Sequence, residues 1–459
     1  MQTSLVVALP ILAAALSCAS VSPKVDFDEV AKLVHERGGE ELHWDSGTPA
    51  DEQVKAHVRK LLKGTLTPAL AVEIALLRNQ GLIATYEELG IAQADLVQAG
   101  LLRNPGFGAR VRFPSGNGAL DSEFSLTQDF LDLFTLPLRK RVASARLEGV
   151  KARVAGAVLD LAAKVRAAIV TLQASQALAK VQKLVLDAQA AAAELSRGQH
   201  AAGNVGEFEV AQEEAFFQQG KVEVARAEAQ VLLDRERANR LLGLWGAEAS
   251  SWTAESTMAE VPAEDPQLDS IETLAIARRL DLAAARGDVQ ALEQAARLAG
   301  LTRYLPALQL GVSTERDAEG TRVTGPELSV ELPIFDQGQA RLARLAATLR
   351  QAQARQAELE VDIRAEARTL RSQLLAARGI AEQYQNVLLP LRERIVGEAQ
   401  RRYDAGLLGI YQLLLVRRDE LDGYRGYLES IRDYWIARTD LERAVGGDLN
   451  ASVTVEKKP

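Results

Sequence analysis

Apolar and polar positions change period along this chain, and they do so twice in the same order. From Thr67-Pro68 a helical spacing runs through Ala71, Ile74, Ala75 and Leu77 towards Ala99. Thr67 is placed as the N-cap and Pro68 at the first helical position. The period then drops to two. Ala109, Val111 and Phe113 alternate with Arg110 and Arg112. After the breaker run Pro114-Ser115-Gly116-Asn117-Gly118, Phe124 and Leu126 alternate with Glu123, Ser125 and Thr127, which predicts a β-hairpin. The Leu136-Pro137 step follows, then an Ala-rich helical run from Leu138 to about Arg197, a break at Gly203, and a return run from Glu207 to Leu242-Gly243.

The second copy repeats each sign. Leu301-Thr302-Arg303 answers Leu101-Leu102-Arg103. Leu308, Leu310 and Val312 alternate with Gln309, Gly311 and Ser313; after a loop from Asp317 to Gly325, Leu328, Val330, Leu332 and Ile334 alternate with Glu327, Ser329 and Glu331. Leu332-Pro333 answers Leu136-Pro137, and a helical run from Gln339 to Tyr403 carries Pro390 partway. Gly406 breaks it, and Ile410 to Val445-Gly446 returns. A helix of about 60 residues would be about 90 Å long, against about 11–12 residues for an average globular helix. Such lengths predict coiled-coil packing, with Ala allowing close approach.

Each predicted strand has one apolar face. The other face carries Arg110, Arg112, Glu123, Glu327 and Glu331. Periodicity alone allows two readings: a half-buried antiparallel sheet with its polar face in water, or a transmembrane barrel with a lipid-facing apolar side and a polar lumen.

Composition narrows the classes. The net charge is -8 and no dense Lys/Arg cluster of the kind nucleic acid needs is present, so no nucleic-acid partner is expected. The one cysteine, Cys18, excludes a disulfide within the chain. It follows an apolar run from Leu5 to Leu16, which has the length of a signal h-region and is too short to span a bilayer. Ala15-Leu16-Ser17-Cys18 is similar to a bacterial lipobox, with Cys18 lipidated after cleavage. It departs from that pattern in two ways: no Lys or Arg precedes Lys24, and Ala15 stands where Leu is usual. A plain secretory peptide with an incidental cysteine is the other reading.

Catalytic patterns are missing. His35, His43, His57 and His200 are scattered at no ligand spacing, and the chain has no phosphate loop, dinucleotide fingerprint or nucleophile motif. The expectation is a non-enzyme with no cofactor and no metal site. His200 beside the first Gly break is a candidate metal or pH sensor, though it also reads as a plain surface histidine.

The duplicated order resembles the TolC-like outer-membrane efflux protein family over residues 67–447. The residues that carry the resemblance are Arg103-Asn104-Pro105, Tyr304-Leu305-Pro306-Ala307-Leu308, Leu332-Pro333-Ile334-Phe335-Asp336-Gln337-Gly338, Tyr403-Asp404-Ala405-Gly406 and Val445-Gly446-Gly447. The leader and the stretch Ala84 to Leu96 are similar to the branch associated with heavy-metal RND-type exporters.

The resemblance implies a mainly α fold with a small β part. Long coiled-coil helices form an α-barrel, and two β-hairpins contribute four strands to a trimeric twelve-stranded transmembrane β-barrel. Closure removes strand edges, which are costly in lipid. It further implies passive export through the outer membrane, with a periplasmic adaptor at the tips and an inner-membrane pump, possibly of RND type.

The implied organisation is a signal peptide over 1–18, a leader over 19–66, a first repeat over 67–243, a linker over 244–270, a second repeat over 271–447 and a polar tail over 448–459. A lipid-anchored periplasmic coiled-coil adaptor or scaffold is the competing reading. Adaptors typically carry one helical hairpin nested in β-domains, whereas this chain has two hairpins and four strands.

The tip turns around Gly203 and Gly406 are the implied gate. Family members often place Asp a few positions after the second tip Gly; the matching positions here are Gln412 and Leu415, so no acidic ring is expected from the second copy. The first copy offers Glu207 and Glu209, either as a carboxylate ring favouring cations or as solvated residues of a first helical turn. Phe208 and Tyr411 read as packing residues.

Overall fold

The structure is a computed structural model that describes residues 24–44, 49–113, 120–264, 268–305, 307–316 and 320–449. Cys18, the signal segment, the Pro114–Gly118 turn and Pro306 lie outside the described residues, as do residues 317–319 of the second hairpin loop, 265–267 of the expected linker and 450–459 of the tail. The chain forms two compact units, each drawn from both repeats: Met1–Val30, Tyr86–Val154 and Leu280–Leu359 make one; Ala31–Thr85, Ala155–Arg279 and Glu360–Pro459 make the other.

The elements in chain order are α1 (Lys24–Gly38), α2 (Pro49–Leu61), β1 (Thr65–Leu66), α3 (Pro68–Arg78), α4 (Gln80–Ala99), β2 (Gly106–Arg112), β3 (Asp121–Asp129), α5 (Leu131–Ala201) and α6 (Glu207–Leu242). There follow α7 (Ala247–Ser250), β4 (Thr253–Ala254), α8 (Ile271–Arg278), α9 (Leu280–Thr302), β5 (Leu308–Arg316), β6 (Arg322–Val330), α10 (Gln339–Gln383), a π turn over Tyr384–Leu388, α11 (Leu389–Asp404) and α12 (Ile410–Ala444). No helix among the described residues is long and apolar enough to cross a membrane.

The first unit contains a four-stranded antiparallel sheet in the order β2-β3-β5-β6. Behind it, helices α5 and α9 approach at a pair of glycines: a Cβ on Gly287 would lie 3.1 Å from Gly149 Cα. A charged knot ties in the start of α1. Lys151 Nζ reaches Asp26 at 2.9 Å, Glu29 at 2.7 Å and Glu148 at 3.1 Å. Burial opposes its charge, but the hydrogen bonds it donates to the three carboxylates together outweigh that and hold the ammonium above the ordinary lysine range. Phe27 meets Tyr86 edge to face at 5.2 Å, and burial raises the Tyr86 phenol well above its usual value.

In the second unit four helices end in one motif. Gly203, Gly243, Gly406 and Gly446 all have φ between 70° and 78°. The amide after each bonds back to a carbonyl five residues earlier: Asn204 to Gln199, Leu244 to Asn239, Leu407 to Arg402 and Gly447 to Glu442. This is the Schellman pattern, which needs a left-handed residue and so selects glycine. Two of the four are also crowded. A Cβ would lie 2.7 Å from Arg78 O at Gly243 and 2.6 Å from Arg278 O at Gly446. The two repeats therefore build the same joint, where the end of a return helix seats against the end of an entry helix.

Three boundaries differ from the sequence expectation. The run from Pro68 to Ala99 is two helices broken at Asn79 (ψ 110°), and its counterpart breaks at Arg279 (ψ 123°). Asn79 holds its break by accepting from the Leu82 amide at 3.0 Å and donating to Leu241 O at 2.9 Å. Helix α5 starts at Leu131 and carries Pro137 inside it. Asp129 accepts from the Leu131 amide at 3.0 Å, which starts the helix early enough that Pro137 removes only one helical bond. Strand β6 stops at Val330, not Ile334. Glu331 makes the last backbone bond, to Ala307 at 3.4 Å, and Pro333 has no N–H to continue the ladder.

The stretch expected as a linker is packed where it is described. Trp252 is buried, donates to Asn239 at 2.9 Å and lies under the Arg235 guanidinium. Strand β4 beside it pairs in parallel with β1.

Candidate channel surfaces

The register of the sheet sorts its side chains without ambiguity, because successive residues face opposite sides. One level of one face reads Ala109, Phe124, Thr314, Thr324; the next reads Phe107, Leu126, Val312, Pro326. Further along the same face Leu310 pairs with Leu328 and Leu308 with Val330. These apolar side chains are not covered. Phe107 is 71% exposed, Val312 56% and Leu328 64%. Among the described residues nothing lies over this face to bury it.

The opposite face is charged and threaded with small residues. Arg110 opposes Glu123 and donates to it at 2.9 Å; Arg112 opposes Asp121 at 3.1 Å. Glu315 sits beside Glu123 on the neighbouring strand. Gly108, Ser125, Ser313 and Gly325 form a level of small side chains, and Glu327 stands opposite Gly311. The structure thus gathers Arg110, Arg112, Glu123 and Glu327 on one face, with Glu331 just past the strand end. Sequence reading missed Glu315 and Asp121. Glu315 continues the alternation of Gln309, Gly311 and Ser313 and was legible in principle; the strand was ended too early.

Both outer strands, β2 and β6, have a free edge among the described residues. An exposed apolar face and two open edges on one sheet are a liability in water unless something covers or pairs them.

The tip turns lie in the second unit, where Gly203 and Gly406 have open space around them. His200 Nδ1 closes its own turn against Val205 O at 2.9 Å, and Tyr411 Oη donates to Gln199 Oε1 at 2.9 Å, tying one tip to the other. Glu207 and Glu209 are exposed in the first turn of α6. Gln412 is occupied locally, accepting from the Gly409 amide at 3.1 Å. Leu415 is 53% exposed and lines a cavity of about 100 Å³ with Glu213, Phe216 and Arg418. Burial raises the Glu213 carboxyl above its usual range. Phe208 is 75% exposed, so it is not the packing residue that the sequence suggested. No cluster of metal-ligating side chains occurs among the described residues.

Residues 273–447 match a family model described as outer membrane efflux protein. That match lies within the second repeat and its return helix. No curated protein sequence matches this chain. Solved structures match it in fold. The outer membrane protein VceC of Vibrio cholerae is 18% identical with a TM-score of 0.69, covering 87% of this chain and 98% of its own. The Campylobacter jejuni outer membrane channel CmeC is 16% identical with a TM-score of 0.67, covering 89% of each chain. The open state of the Neisseria gonorrhoeae outer membrane channel MtrE is 20% identical with a TM-score of 0.58, covering 85% of this chain and 89% of its own. At these identities the likeness is one of fold.

Proposed function

We propose that three copies of this chain close into one twelve-stranded barrel and form the exit duct of a tripartite efflux pump. Small molecules or metal ions would leave passively through it, driven by an inner-membrane transporter and reached through a periplasmic adaptor. The observation that carries this reading is the four-stranded sheet itself. It has an exposed apolar face, a charged opposite face and an unpaired strand edge on each side. Joining β2 of one copy to β6 of the next satisfies every edge, which a bilayer demands.

In this reading Arg110, Arg112, Glu123, Glu327 and Glu331 line the lumen, and the tips around Gly203 and Gly406 form the gate. Glu207 and Glu209 supply the charge there, while Gln412 and Leu415 supply none. A pump of the RND type that exports heavy metal follows from the sequence resemblance of the leader. Cys18 would carry the lipid anchor.

Cysteine pairs test the assembly. With Cys18 kept, since a lipidated cysteine has no free thiol, one cysteine is placed on β2 (position 108 or 110) and one on β6 (325, 327 or 329). At least one combination should oxidise to a covalent ladder that stops at three chains. A ladder that stops at two, or no cross-link from any pair, would overturn the proposal.

A further inference from the structure

All four strands meet the helices at one end of the sheet, and the surface there has two bands. The first is apolar. Phe134 is 73% exposed, Leu332 70%, Tyr304 70% and Phe335 93%. The second is basic and lies one to two turns further into the helices. Lys140 and Arg141 on α5 and Arg341 and Arg344 on α10 are exposed, and Arg303 stacks over the Tyr304 ring at 4.6 Å. None of these five cations has a carboxylate partner among the described residues. The neighbouring Arg103 and Arg139, by contrast, are spent on Asp129 and Asp132 at 3.3 and 3.4 Å. Acids nearby without an ion pair include Glu331, Asp336 and Asp95; Asp336 already accepts from the Gly338 amide at 2.8 Å, and Asp95 lines a cavity with Arg103 and Arg139.

Both repeats build this pattern independently. Each has Leu-Pro after its hairpin and then bases at the head of the long helix: Arg139-Lys140-Arg141 after Pro137, Arg341 and Arg344 after Pro333. Phe134 and Arg141 are seven residues apart, so they share a helix face about 10 Å apart along it. That separation is on the scale of the headgroup layer, roughly 5–8 Å on each side of the hydrocarbon. Long basic side chains at such a boundary reach towards phosphates while their stems cover apolar surface.

We propose that this collar binds the headgroups of anionic phospholipids, of the phosphatidylglycerol class, in the leaflet that meets the helical end of the barrel. The inference rests on the reading that the sheet stands in a bilayer. Clusters of unpaired Lys and Arg next to a membrane-embedded apolar band are attracted to anionic lipid, and salt screens the attraction.

The test uses the full chain purified in a neutral detergent. Added phosphatidylglycerol should raise its apparent unfolding temperature by several degrees and phosphatidylcholine should not, since a ligand of the folded state stabilises it. High salt should remove most of the difference. R141Q/R344Q should lose at least half of the shift, and R141K/R344K should keep it. Equal shifts with the two lipids, or a full phosphatidylglycerol shift in R141Q/R344Q, would overturn the collar. Should R141Q/R344Q fail to fold, the headgroup and salt dependence of the unaltered chain still decides. Conductance in a neutral bilayer reports separately on the barrel: a protein that conducts there without any headgroup preference keeps the channel and loses the collar.

Discussion

Four glycines with nearly the same φ sit in two different surroundings, and that difference separates backbone strain from crowding. Gly203 and Gly406 have open space where a Cβ would go, while at Gly243 and Gly446 a Cβ would press on the carbonyls of Arg78 and Arg278. Gly203→Ala should cost about 1 kcal/mol, the left-handed penalty alone. Gly243→Ala should cost at least twice that, because the entry helix must move as well. Chemical denaturation of the two variants against the parent checks the ratio; equal losses would mean that the joint is not tightly seated. Lys151→Ala should cost about 3–5 kcal/mol by the same assay, since it leaves Asp26 buried without its cation. The glycines were legible in the sequence because each followed a helical run. The breaks at Asn79 and Arg279 were not: neither residue is a breaker, and their conformation is set by contacts from distant segments, such as the Asn79 bond to Leu241.

Among the elements, the strands were legible in period and face and misjudged in length. Alternation tells which side a residue faces, but Pro333 rather than hydrophobicity ends β6, and Arg316 extends β5 past the point where apolar residues stop. Adjacent substitutions on β5 should behave oppositely. Val312→Arg on the apolar face should cost about 2–4 kcal/mol per chain near mid-bilayer and block assembly in the membrane. Ser313→Arg, one residue on and facing the other side, should assemble normally and change only conductance. Heat-resistant oligomer on a gel reads both; loss of oligomer in Ser313→Arg would mean the faces are misassigned.

The long helices were legible as lengths, while their irregularities depended on packing. Pro390 is accommodated by the π turn before it, where the Leu389 amide bonds to Tyr384 O. Tyr384 in turn fills the space over Gly426. Gly426→Ala should therefore destabilise the second repeat, and Tyr384→Ala in the same chain should recover part of the loss, a coupling that a double-mutant cycle measures.

At the scale of the molecule the resemblance was carried by order rather than by any single motif: hairpin, long helix, glycine, return helix, written twice. The structure adds what order cannot give. It shows that the apolar face of the sheet is bare, that both edges are free, and that Gln412 serves its own helix while Glu207 and Glu209 stand exposed. The tips therefore differ between the repeats in the residues that follow each glycine. The central claim is that these sheets complete one another in a membrane. Planar-bilayer conductance of the purified protein, with its mass in detergent, tests it most directly. A mass of three chains and discrete single-channel steps are predicted. A monomeric mass with no conductance would contradict the account.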